Sequence, residues 1–196
     1  MIKVHVWLPR GTNVGHSSAS ILDENTKLVE YISWWPSGYS NPLKSNRGKP
    51  KCFEGDVHEE GRQPDDEREV DGLLEREAKN WWTEFREGDQ ANYDLVYQNC
   101  SWAVVMALKN AGADKYFPWK NILLKYNLKG IPRKTLTAFD DFVADVVRRK
   151  VGGNTWSQAT TLSLVNMGDR VTPAWSPTDV LSYCDTLISG IDQARS

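Results

Sequence analysis

Tyr97-Gln98-Asn99-Cys100-Ser101-Trp102, running into Ala103-Val104-Val105-Met106-Ala107-Leu108, is the stretch from which the fold is read. The residues ahead of the cysteine, Asp94-Leu95-Val96-Tyr97, predict a short strand, and the apolar run after it predicts a helix opening at or just before Cys100. The first turn of a helix leaves backbone N–H groups without intrahelical partners and carries the positive end of the macrodipole, and both favour a thiolate. A cysteine so placed is primed as a nucleophile. Taken alone, a cysteine before an apolar helix is more often a small buried hydrophobe. The functional reading therefore turns on a base, and the chain offers His5, His16 and His58.

Upstream, Ile2 to Leu8 alternates with period two, which puts Ile2, Val4, Val6 and Leu8 on one face of a strand and Lys3, His5 and Trp7 on the other. Pro9 to Gly15 is a loop by its glycine, proline and asparagine content and delivers the chain to His16. Ser17–Leu22 and Leu28–Trp35 predict two strands of an antiparallel hairpin across Asp23–Lys27, with His16 at the mouth of a strand on the sheet edge. From Pro36 to about Val70 no helical stripe of useful length occurs, so a long loop is expected, with Asp65–Glu69 a solvated lead into a helix. Leu73, Leu74, Glu77, Ala78, Trp81, Trp82 and Phe85 then fall in i, i+3, i+4 register, an amphipathic helix within Asp71–Glu87 that ends near Gly88.

Downstream, Gly112 stands where a helix C′ residue would. Lys115–Lys134 predicts irregular structure with a short helical turn, Thr137–Val151 a helix stopped by Gly152-Gly153, and Ala159–Met167 an apolar element that periodicity leaves open between helix and strand. Ser176-Pro177-Thr178-Asp179 combines an N-cap serine, a proline at the first helical position and an acid at the third. Val180, Leu181, Cys184, Leu187, Ile188 and Ile191 follow as the stripe of a closing helix.

Composition narrows the function. At 196 residues, with 40% hydrophobic and 26% charged, the chain suits one domain, 1–196. A net charge of −2 gives no global basic excess for nucleic acid. Cys52, Cys100 and Cys184 are odd in number and include no CxxC pair, so neither a disulfide framework nor a zinc knuckle is indicated, and no cofactor is expected. No stretch nears about 18 consecutive apolar residues, and the N-terminal residues lack a secretory pattern. The expectation is a cytoplasmic protein, or one exported without a signal peptide into a target cell. Nine tryptophans need a large core or an aromatic groove, and Trp34-Trp35 and Trp81-Trp82 are expected to divide between the two. Cys184 belongs to an apolar stripe, Cys52 is incidental, His5 is structural or at the surface, and His58 with its neighbouring acids is weak as a metal site.

Asn13-x-Gly15-His16-x-Ser18, then Tyr31-Ile32-Ser33-Trp34-Trp35-Pro36, then Asn99-Cys100-Ser101 opening an apolar helix, resemble in that order the circularly permuted papain-like superfamily. Its members include NlpC-type amidases, the lecithin retinol acyltransferase group and the Rho-inactivation domains of bacterial toxins and effectors, the last being nearest in pattern. The likeness spans 1–112; 113–174 is unmatched, and 175–196 closes the domain. It implies an α+β fold, an antiparallel sheet with the Cys100 helix packed on it and the histidine strand first. In the toxin group the catalytic order is histidine, aspartate, cysteine, which His16 and Cys100 match. Asp56, in Phe53-Glu54-Gly55-Asp56-Val57 between the histidine strand and the Trp81-Trp82 helix, is expected to orient the imidazole, with Glu30 as the alternative. The Cys100 backbone N–H, with the side chain of Gln98 or Asn99, would face the oxyanion.

The chemistry implied is a cysteine hydrolase or acyltransferase working through a thioester on a protein or peptide substrate, with an acyl-thioester as candidate donor. Rho-inactivation relatives imply fatty-acyl transfer onto lysines of small GTPases; NlpC relatives imply cleavage of cell-wall peptide cross-links. The competing class is a non-catalytic binding module with a tryptophan-lined groove and a structural Cys100.

Overall fold

Ile2, Val4 and Val6 are fully buried, as their alternation predicts, and they anchor a strand, β1 (Ile2–Trp7), that lies inside a sheet. The computed structural model describes residues 1–11, 13–38, 45–95, 98–117 and 175–196. β1 pairs antiparallel with β2 (His16–Leu22), and β2 with β3 (Leu28–Ile32). The hairpin expected across Asp23–Lys27 is present. His16 nonetheless opens an inner strand rather than an edge, because β1 lies beside it with Trp7 opposite His16.

The segment expected as a long loop holds regular elements among its described residues. β4 (Trp34–Pro36) and β5 (Asn46–Pro50) pair in a second sheet, α1 spans Phe53–Glu60, and β6 (Asp66–Val70) joins the other edge of β1. The first sheet thus runs β3-β2-β1-β6. The acidic run is an edge strand, not a lead into a helix: Val70 is buried opposite Ile2, while Arg68 ion-pairs with Asp185. The strand expected to continue to Trp35 is interrupted at Ser33, where the chain passes from the first sheet to the second.

α2 (Glu75–Glu87) is the amphipathic helix, starting later than Asp71. Trp82 is buried and meets Trp34 edge to face with ring centroids 5.7 Å apart. Trp81 stacks on Phe85, which reaches Trp102 of the next helix. Both tryptophan pairs divide as expected, Trp34 and Trp82 in the core and Trp35 and Trp81 half-buried. β7 (Asn92–Tyr93) pairs with β5; of the expected strand Asp94–Tyr97, Asp94 makes an isolated bridge to Gln98 and Leu95 lies in a turn, while Val96 and Tyr97 lie outside the described residues.

α3 (Cys100–Asn110) is followed by Gly112 in the left-handed region and a short 3-10 turn at Ala113–Tyr116. α4 (Pro177–Arg195) begins with the full capping box of Ser176 and Asp179, and Val180, Cys184, Leu187 and Ile191 point into the core. The elements expected within 118–174 lie outside the described residues. The architecture is α+β. α3 and α4 pack on the apolar face of the first sheet. Phe53 of α1 lies over the opposite face, 5.0 Å from the His5 ring. That face is polar: His5 bonds Glu67 at 2.7 Å and Ser20 at 2.9 Å. Among the described residues no helix is long and apolar enough to cross a membrane.

Gly48 of β5 allows the Trp34 indole to lie flat against its backbone, since a Cβ there would fall 2.0 Å from the ring. Overpacking of this kind costs about 1–3 kcal/mol. Gly48→Ala should therefore lower Tm by about 2–12 °C in scanning calorimetry. An unchanged Tm would show that the indole has room to move aside.

Candidate active site

Asn99 caps α3: its side-chain oxygen accepts the Trp102 N–H at 2.8 Å, satisfying one of the helix's orphan donors. Its amide donates to the carbonyls of Leu95 (3.0 Å) and Trp175 (2.8 Å), tying the start of α3 to the approach to α4. With both amide hydrogens so used, Asn99 is a structural cap and not the oxyanion donor expected of it. Gln98 is likewise turned away, its amide donating to the Gln90 carbonyl at 3.3 Å. The Cys100 backbone N–H remains in place, at the first helical position.

Cys100 is buried at the end of the sheet. Burial alone would push its thiol up. The charge of His16 and a hydrogen bond from it outweigh burial, helped by the Ser17 backbone N–H and the Ser101 hydroxyl, and hold the thiol below its ordinary range. For His16 burial acts downward, but the charge of Cys100 and then the hydrogen bond to Asp56 prevail and raise it to about 10. Both shifts favour a thiolate facing an imidazolium.

His16 Nε2 lies 3.0 Å from Asp56 Oδ2 and 3.2 Å from the Ser33 hydroxyl, which leaves Nδ1 as the nitrogen for Cys100. Asp56 is completely buried in the first turn of α1, where the helix dipole favours a negative charge. Besides His16 it accepts from Tyr31 (2.8 Å), Ser33 (2.7 Å) and Trp35 Nε1 (2.7 Å). Burial raises the carboxyl, but the bond to His16 and its charge, with Ser33 and Tyr31, hold it below the usual carboxylate range. Trp35 also stacks on the imidazole at 4.4 Å, closing one face of the ring to water.

The expected residues Cys100, His16 and Asp56 are therefore brought together. Glu30 is not among them: it faces the other side of the sheet, opposite Ile21, and pairs with Arg86 at 3.0 Å. His58 is exposed on α1. Cys184 is held inert by burial, which pushes its thiol up to about 12. Among the described residues no group of three or more His, Cys, Asp or Glu side chains is arranged to hold a metal.

Several residues escaped the sequence reading. Tyr31, Ser33 and Trp35 alternate at i, i+2 and i+4 while Ile32 and Trp34 enter the core, so period-two alternation carried the signal. Tyr93, on β7, feels the charge of Cys100; burial first and then that charge raise its phenol well above the ordinary value. Nothing in the sequence linked it to the site. The loop motif also gains its physical meaning. Asn13 Oδ1 accepts the Gly15 N–H at 2.8 Å, and Gly15 has φ +80° with a would-be Cβ only 2.3 Å from the Trp7 carbonyl, so only glycine fits before His16.

Replacing Asp56 by Asn removes one of the two groups that raise His16. The imidazolium then deprotonates at lower pH and supports the Cys100 thiolate less, so the thiol pKa rises. Asp56→Asn should shift the acid limb of Cys100 alkylation upward by about 1–3 pH units, read peptide by peptide with iodoacetamide. An unmoved limb would mean that Asp56 does not set the charge of the pair.

The family profile of the IcsB middle domain, a bacterial effector domain, matches residues 50–129, a stretch that includes Asp56 and Cys100 and begins after His16. No curated protein and no solved structure matches the chain.

Proposed function

We propose that this protein is a cysteine-nucleophile enzyme that takes an acyl group from an amide or ester-type substrate onto Cys100. The observation carrying this reading is the buried Cys100–His16 pair with Asp56 behind the imidazole. The Cys100 thiolate attacks the acyl carbon, and the oxyanion forms against the Cys100 N–H. His16 gives its proton to the leaving group, whose bond to the acyl carbon breaks and leaves a thioester. The neutral imidazole then takes a proton from the acceptor as it attacks, and the thiolate is released.

Water as acceptor makes the enzyme an amidase, protease or thioesterase; an amine makes it an acyltransferase. The order of histidine strand and cysteine helix and the Asn13-x-Gly15-His16 and Asn99-Cys100-Ser101 motifs support a permuted papain-like enzyme. The IcsB middle domain match supports an effector-type protein acting in a target cell.

With a thiol-directed acyl probe, wild type, Cys52→Ala and Cys184→Ala should label alike, and Cys100→Ala should not label while keeping its near-UV dichroism. His16→Ala should lower the labelling rate by about 10²–10⁴-fold. Labelling that persists in Cys100→Ala, or moves to Cys52, overturns the enzyme reading in favour of a binding module with a structural cysteine.

A further inference from the structure

α1 presents two carboxylates to the site, one helical turn apart. Asp56 serves the imidazole ring. The second, Glu60, has no part in the thioester chemistry, yet its side chain is only 2% exposed. Glu60 Oε2 accepts from Asn13 Nδ2 at 2.7 Å, with Arg62 Nη2 more distant at 3.9 Å. Asn13 in turn accepts the Gly15 N–H through its other side-chain atom, and its backbone is paired both ways with Arg10, at 3.0 and 2.9 Å. Gly15 is the residue that sets the direction in which the chain enters His16. Burial raises the Glu60 carboxyl, and the charge of His16 is the largest influence opposing that rise, which places the two groups in one electrostatic neighbourhood.

We propose that Glu60 is a positioning residue for His16, acting through Asn13, so that α1 holds the imidazole twice: by its ring through Asp56 and by its backbone approach through Glu60. The inference rests on His16 serving as the partner of Cys100. A side chain fixed at one end alone can swing about its own χ angles. Fixing the backbone entry as well keeps the ring turned toward Cys100 while Nε2 stays on Asp56, the kind of restraint that a near-attack geometry needs.

The test compares iodoacetamide rates at Cys100 at pH 6, read at the peptide level so that Cys52 and Cys184 are counted apart. Glu60→Ala and Asn13→Ala should each slow Cys100 by about tenfold, and the double variant should be no slower than either single, because both remove one connection. Glu60→Gln keeps an acceptor for Asn13 and should stay within about twofold of wild type. Effects that multiply in the double variant, a Glu60→Gln as slow as Glu60→Ala, or singles at the wild-type rate all overturn the proposal. Should Glu60→Ala fail to fold, Glu60→Asp, whose carboxylate is drawn back by one methylene, takes its place with the same expected slowing. A wild-type Cys100 no faster than Cys52 overturns the enzyme reading instead. The His16 ring ¹⁵N resonances then judge the brace by themselves: like shifts in Asn13→Ala and Glu60→Ala support it, and unmoved resonances overturn it.

Discussion

A carboxylate taken wholly out of water is the constraint on which the site depends. Leaving such a group unpaired would cost several kcal/mol, enough to neutralise it or unfold the region. Asp56 avoids this by accepting from His16, Tyr31, Ser33 and Trp35. These donors come from β2, β3, β4 and the residue between the last two, so satisfying one charge also locks α1 against both sheets. The imidazole is aligned as a by-product of solving a burial problem, and the Cys100 thiolate gains its partner from that alignment.

The first sheet explains why this polar arrangement stays dry. Its apolar face, with Ile2, Val4, Val6 and Ala19, is closed by α3 and α4. Its other face carries His5, His16, Ser18, Ser20 and Tyr31, and these side chains are buried as well, paired with one another, with Glu67 or with Asp56. Low dielectric strengthens each of these bonds and makes each missing one more damaging. A sheet buried on both faces thus supports a core on one side and a charge network on the other.

The segment between Pro36 and Val70 was illegible in the sequence for a physical reason. Hydrophobic periodicity finds a helix by its apolar stripe, but the buried residues of α1 are Asp56 and Glu60, so the inward face reads as polar. β6 hides in the same way, since only Val70 is buried and Arg68 reaches Asp185 on α4. By contrast α2, α3 and α4 bury ordinary apolar side chains, and α4 also starts at a capping box, so they were legible. Gln98 and Asn99 were misjudged because proximity to Cys100 in the chain says nothing of which way an amide turns; Asn99 is consumed by capping and by the Trp175 carbonyl.

The first strand with its apolar face of Ile2, Val4 and Val6, the helix opening at Cys100 and the capping box at Ser176 were readable from the chain alone, because each follows from local hydrogen bonding or periodicity. The sequence also singled out His16 and Cys100 as candidates. Only the tertiary structure decided between Asp56 and Glu30, since that choice depends on which face of β3 each group meets and on a helix whose inward side chains are charged. Register places Glu30 beside Ile21 and against Arg86, on the side away from the imidazole. Packing of α1 over the polar face brings Asp56 to His16, and no local pattern encodes that meeting.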